Sequence, residues 1–273
     1  MNEEHLIERV MYKLVKKYIS GTTMNSAIER TKELNKNGLT ASVTFLTENP
    51  ADKSKASYIT STYLELERKI SRLGLKASVQ VDAVQIGMDI SEDTMLSNFN
   101  KIVETGNRCG VFVWLKVDRY SENFPFQKYA KGVGYAIPQS LMYEAAQPHP
   151  AKALKIIFSK EESKNIKLRK GTFSSFMQKY SCAANHVVLS YLPCSILDYM
   201  PKSQPQRGNT VFEFDLSNQK KIAKRAAEKR AANISITVPF GKDWVPYAVN
   251  NAPERYIRFL TSRMLGDQGG SSS

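Results

Sequence analysis

The chain has 273 residues, 42% of them hydrophobic, which is enough for one large core of the size at which a single α/β barrel closes. Its 39 lysines and arginines against 26 acidic residues give a formal charge of +13, so a binder of nucleic acid or of an acidic partner has to be weighed. No run of residues approaches the ~18 consecutive apolar positions that cross a bilayer.

The opening MNEEHLIERVMYKLVKKY is charged and helical in pattern, without the apolar region of a secretory signal. Cys109, Cys182 and Cys194 are odd in number and lack metal-ligand spacing, and His5, His149 and His186 are scattered. These features predict a soluble, cytoplasmic protein with no disulfide framework and no metal. The densest basic run, Lys220 to Arg230 in QKKIAKRAAEKRAAN, fits the solvated outer face of a helix. No zinc pattern, heptad or Gly-rich aromatic strand accompanies it, so nucleic-acid binding stands as the third reading.

In chain order, residues 3–19 predict an amphipathic helix with Leu6, Val10, Leu14 and Tyr18 on one side, ended by Gly21. Thr22 or Thr23 caps a second helix through Met24, Ile28 and Leu34, which Gly38 stops. Ala41 to Glu48 is a strand, Asp52 to Leu73 a long helix, and KASVQVDAVQIGMDIS a second strand with its exit loop. A helix from Glu92 to Glu104 leads through Gly106 to Val111–Asp118, apolar on both faces as a buried parallel strand requires.

Gly132 to Glu144, Ala153 to Glu162, Asn185 to Ser195 and Val211 to Leu216 predict the fourth to seventh strands, with a helix over Phe173 to Tyr180. The eighth strand is Ile234-Ser235-Ile236-Thr237-Val238, broken by Pro239 and Gly241 before a helix that carries Trp244, Tyr247, Ile257 and Leu260. The alternation of strand and helix predicts a single (β/α)8 barrel over residues 1–265, N-terminal helices included, with a disordered tail at 266–273.

Several of these segments carry a family resemblance. VPFGKDWVPYAVNNAPE is similar to the end of the proline dehydrogenase barrel, where a "VPYG" strand end leads into a helix with a Tyr-x-x-Arg-Arg motif. YISGTTMNSAIERTKELNKNGLTASVTFLTEN resembles the opening of that barrel, and Gln85-Ile-Gly-Met-Asp89 its "QLGLD" segment. ALKIIFSKEE resembles "RLVKGAY", and VFEFDL resembles "FEFQML". The resemblance covers the chain up to Leu265 and implies a barrel of the proline dehydrogenase type, an FAD cofactor and a cyclic amino acid or amine as substrate.

Carried over residue by residue, the resemblance makes Asp118 and Tyr247 the candidate catalytic residues. Lys155 keeps the charge of a flavin-contacting arginine, while the family's flavin-contacting glutamine aligns with Pro138 or, one residue on, with Gln139. Asp215 takes the place of a second such glutamine. On the substrate side, Asp82 stands where the family has a lysine, and Asn250 and Asn251 where it has the arginine pair that holds the substrate carboxylate. Arg255, further along the same helix, is the candidate substitute. Leu192 replaces a histidine of the family's "ATHD".

A carboxylate in place of an ammonium inverts the local field, and two asparagines cannot supply the charge of an arginine clamp. The first reading is therefore a divergent flavin oxidoreductase acting on proline or a related cyclic amine. The second is a barrel that has kept the shell and lost the flavin, serving a different reaction or binding a ligand.

Overall fold

The computed structural model describes residues 16–117, 133–141, 153–166, 173–181, 186–199, 209–229 and 233–251. Helix α1 (Met24–Lys36) precedes β1 (Thr40–Phe45), and α2 (Lys53–Arg72), β2 (Ala77–Asp82), α3 (Glu92–Cys109) and β3 (Phe112–Lys116) follow. Next come β4 (Val133–Pro138), β5 (Ala153–Ile157), α4 (Lys160–Asn165), α5 (Phe173–Ser181) and β6 (His186–Ser190). The short α6 (Ile196–Tyr199), β7 (Asn209–Phe214), α7 (Gln219–Lys229), β8 (Ile234–Phe240) and α8 (Trp244–Asn251) complete the described elements.

The eight strands pair in sequence order and close into a barrel, parallel throughout. The predicted (β/α)8 architecture is thus the observed one. The predicted helix over residues 3–19 lies largely, and the tail at 266–273 wholly, outside the described residues.

Local chemistry sets the helix starts. Thr23, Asp52 and Ser91 each sit in extended backbone and accept a hydrogen bond from the amide three residues on, satisfying donors the first turn leaves open. The structure moves several predicted ends. Helix α3 runs past Gly106 to Gly110, whose φ of 67° supplies the left-handed cap. Strand β5 stops at Ile157, because Ser159 and Glu162 form a reciprocal capping box that starts α4.

Strand β8 continues through Pro239, which the sequence marks as a breaker, and pairs with β1 as far as Phe240. Pro239 lacks a donor, but its carbonyl accepts from the backbone N–H and the hydroxyl of Ser20, each at 2.8 Å. The break falls at Gly241, with φ of 142°, where a Cβ would stand 2.0 Å from the Leu46 carbonyl oxygen. The β1–β8 seam continues beyond the strands, with Leu46 donating to Phe240 and the Glu48 amide to the Asp243 carboxylate.

Two cores result. One fills the space between sheet and helices, with Val43, Val81, Leu115, Ile156, Leu189 and Phe214 of the strands packed against residues such as Ile59, Leu66 and Phe99 of the helices. The other lies inside the barrel, where Trp114, Ala136, Ala153 and Val188 form a small apolar cluster. The rest of the inward layer is polar: Ser42, Lys155, Ser190, Glu213 and Thr237 are all buried. A barrel of this kind usually packs its interior with branched aliphatic residues. Here the middle layer is a hydrogen-bonded network.

Candidate functional site

The floor of the site is that network. The Lys155 ammonium is fully buried and donates to Glu213 Oε2 at 2.8 Å, Ser42 Oγ at 2.9 Å and Gln80 Oε1 at 3.1 Å. It also stands 5.1 Å from the centre of the Trp114 ring. Ser190 and Thr237 donate to the same Glu213 carboxylate, at 2.7 and 3.1 Å. Burial pushes the Lys155 pKa down, and the Glu213 charge opposes that shift. The hydrogen bonds of this one ion pair thus join side chains from six strands, with Trp114 of a seventh beside it.

Above this floor, at the carboxyl ends of the strands, lies a cavity of about 530 Å³. Barrels of this architecture carry their chemistry at that end. Asp82 and Lys116 face each other across the β2–β3 register and form an ion pair of 2.9 Å at the cavity wall. Asp82 also accepts from the Val84 amide at 3.0 Å. Gln85 is fixed by donating to the Phe45 carbonyl at 3.1 Å, with its Oε1 3.3 Å from the Tyr63 hydroxyl. Burial raises the pKa of the Tyr63 phenol well above its usual value, so it stays protonated and holds β1 and β2 in place.

On the opposite wall, Tyr191 follows β6 with φ of 63°, a conformation uncommon for a bulky residue and frequent at functional sites. Its amide donates to the Glu213 carbonyl at 3.1 Å, and its hydroxyl meets that of Tyr247 at 3.2 Å. Burial pushes the Tyr191 pKa up to about 12 and that of Tyr247 well above its usual value, with the charges of Glu213 and Asp215 adding to both shifts. Two neutral phenols therefore face the cavity at neutral pH. Asp215 caps the short turn after β7 by accepting from the Ser217 amide and from the Asn218 side chain, each at 2.9 Å. Phe45, Phe158 and Leu192 supply the apolar wall.

Of the residues singled out from sequence, Asp82, Asp215 and Tyr247 meet at this cavity. Lys155 does not face it, because its ammonium is committed to Glu213 beneath the floor. Gln139 also points elsewhere, with its amide nitrogen 3.5 Å from the Tyr180 hydroxyl of α5. Asn250 and Asn251 occupy the end of α8, with their side chains outside the described residues, as are Asp118 and Arg255.

The sequence reading passed over Lys116, Tyr191 and Glu213 as site residues. A signal for Lys116 exists in VFVWLKVD, where a lysine interrupts a strand otherwise apolar on both faces. A second cavity of about 300 Å³, bordered by Ser78, His186, Glu213 and Ser235, lies at the amino ends of the strands. Among the described residues no group of His, Cys, Asp and Glu could hold a metal ion, and no helix is long and apolar enough to cross a membrane.

The fold is a (β/α)8 barrel with a cavity at its carboxyl face. No family model matches the chain. Proline dehydrogenase 1 of Bacillus subtilis is 22% identical over 267 residues, covering 88% of this chain and 86% of that protein. Proline dehydrogenase 2 of the same organism is 21% identical over 259 residues, with 88% and 86% covered. Among solved structures, proline utilization A from Bdellovibrio bacteriovorus, inactivated by N-propargylglycine, matches 98% of this chain with a TM-score of 0.62 and 15% identity. The chain spans 34% of that larger protein. Over most of its length the chain is thus distantly similar to the proline dehydrogenases.

Proposed function

We propose that the chain is a proline dehydrogenase-like oxidoreductase that holds a small cyclic amine or amino acid in the mouth cavity. The observation that carries this reading is the cavity itself: an ion pair, Asp82–Lys116, and two half-buried phenols, Tyr191 and Tyr247, gathered at the carboxyl ends of the strands. Its volume of about 530 Å³ lies within the range of small-molecule and cofactor sites. The likeness to two proline dehydrogenases supports proline or a close analogue as the substrate class.

FAD is the cofactor the resemblance implies. The cavity offers apolar side chains at Phe45, Phe158 and Leu192, and polar side chains at Gln85 and Lys116, the kinds of group that suit a flavin ring. It offers no second lining cation for a diphosphate among the described residues. The ring thus fits these residues better than the diphosphate does. A flavin held there would supply two-electron acceptance, the chemistry needed to oxidise the C–N bond of a cyclic amine to C=N. The chain's own residues would orient the amine. Asp82 offers a carboxylate, Tyr191 and Tyr247 offer hydroxyls that stay protonated, and the apolar wall excludes water.

A second reading, a barrel without flavin, is favoured by one observation. The cation that the resemblance assigns to the flavin, Lys155, is fully buried and neutralised by Glu213. One experiment separates the two. The absorbance of the purified protein is recorded in the near-ultraviolet and visible, before and after incubation with FAD and desalting. Retained flavin bands, bleached by proline or a cyclic amine, support the oxidoreductase. A protein that stays colourless overturns it and leaves the flavin-less barrel.

A further inference from the structure

We propose that the mouth cavity selects a cyclic ammonium that carries no carboxylate, in preference to an amino acid. This inference deepens the proposed function and rests on its assignment of the mouth as the substrate site.

The first argument is what a carboxylate would meet. Among the described residues lining the cavity, Lys116 is the sole cation, and Asp82 already holds it at 2.9 Å in a pair that is about three-quarters buried. A carboxylate could take Lys116 only by leaving the Asp82 charge uncompensated in a half-desolvated site, the costly way to break such a pair. At positions 250 and 251, where the resemblance expects arginines, the chain has two asparagines, so no charge is restored there.

The second argument is what an ammonium would meet. Asp82 and Asp215 both line the cavity, and the carboxylate of each has further lone pairs to offer. The aromatic side chains of Phe45, Phe158, Tyr191 and Tyr247 line the same cavity, and a desolvated cation is attracted to such rings. Burial is the main cause that keeps the Tyr191 and Tyr247 phenols and the Cys194 thiol protonated; the Asp215 charge adds to it, while Lys116 opposes it at Tyr191 and Lys221 and Arg225 oppose it at Cys194.

The test measures binding to the full-length protein by calorimetry with three rings of similar size. Pyrrolidine is the cation, proline the zwitterion, and tetrahydro-2-furoate the carboxylate without an amine. The expected result is pyrrolidine tighter than proline by about tenfold or more, with no detectable binding of the furoate. Asp82→Asn, with its fold checked by circular dichroism, is expected to weaken pyrrolidine by about tenfold and to make furoate binding measurable, because the Asp82 charge no longer competes with the furoate for Lys116.

Proline or furoate binding more tightly than pyrrolidine would overturn this inference and leave the oxidoreductase reading standing. So would an Asp82→Asn protein, folded as the parent, whose order of preference is unchanged. Failure of all three rings to bind would overturn both, because the mouth would then not be a site for small cyclic amines.

Discussion

The ammonium of Lys155 reaches from β5 to the carboxylate of Glu213 on β7, 2.8 Å away, and so joins two strands that are not neighbours in the sheet. Both side chains are almost completely removed from water, at 0% and 2% exposure. Burying two charges is costly, and their attraction repays it only because Ser42, Gln80, Ser190 and Thr237 complete the hydrogen bonds. Removing one partner leaves the other charged and unpaired. Lys155→Met or Glu213→Leu alone is expected to cost about 3–5 kcal/mol in urea unfolding, and the double variant markedly less than the sum of the two. Additive losses would show that the pair is not a unit.

Glu67 on α2 poses a different electrostatic problem. Its side chain is buried, neither carboxylate oxygen has a hydrogen-bond partner, and Oε1 lies close to Gly106 of α3. Burial pushes its pKa up to about 9 from 4.5, with Arg68 pulling weakly the other way. The folded protein therefore keeps Glu67 protonated at neutral pH, whereas the unfolded chain ionises it. The contribution of this group to stability is full below pH 4.5 and is lost progressively as pH rises toward about 9. Glu67→Gln is expected to remove this slope, raising stability near pH 8 relative to the parent more than near pH 5. Thermal unfolding measured at both pH values checks it.

Tyr247→Phe removes the hydroxyl that meets Tyr191 at 3.2 Å and leaves the ring in place. The expected loss of stability is about 1 kcal/mol, the net value of one such bond, so the barrel stays folded. Ligand affinity or turnover should fall while the unfolding midpoint moves little. A variant that unfolds instead would make Tyr247 a core residue and nothing more.

Gly134 on β4 lies against the Trp114 ring, and a Cβ there would stand 2.3 Å from its nearest carbon. Trp114 in turn lies under the Lys155 ammonium and against the rings of Phe112 and His186, which restrict its movement away from β4. Gly134→Ala is expected to destabilise the barrel by about 1–3 kcal/mol through overpacking, measurable as a lower urea midpoint. Gly134→Ala with Trp114→Phe should recover part of the loss.

The barrel was legible because each strand is a short apolar run between breakers, a pattern that adjacent residues determine. The site was legible only where one residue announces itself. Asp82 could be seen as a reversed charge, but its partner Lys116 lies 34 residues away and is brought opposite it by the β2–β3 register. Lys155 was seen as a cation, yet its direction depends on Glu213, 58 residues further along the chain and two strands around the barrel. Pro239 shows the converse. It reads as a strand breaker, but a carbonyl bonded to Ser20, 219 residues away, keeps it in the sheet. Local pattern gives the elements, and cross-barrel pairing decides which way their charges point.

The seam between β1 and β8 sets a timetable. Thr40–Phe45 pairs with a strand that ends at Phe240, and Ser20 and Glu48 add bonds to Pro239 and Asp243. Until residue 240 has left the ribosome, β1 has no partner on that side, and the growing sheet carries two open edges. At synthesis rates of roughly 5–20 residues per second, that interval lasts on the order of ten seconds or more after β1 emerges. Unpaired edges of an apolar parallel sheet are sites of aggregation, so a nascent chain of this protein depends on chaperones or on its own helices to cover them until the ring closes.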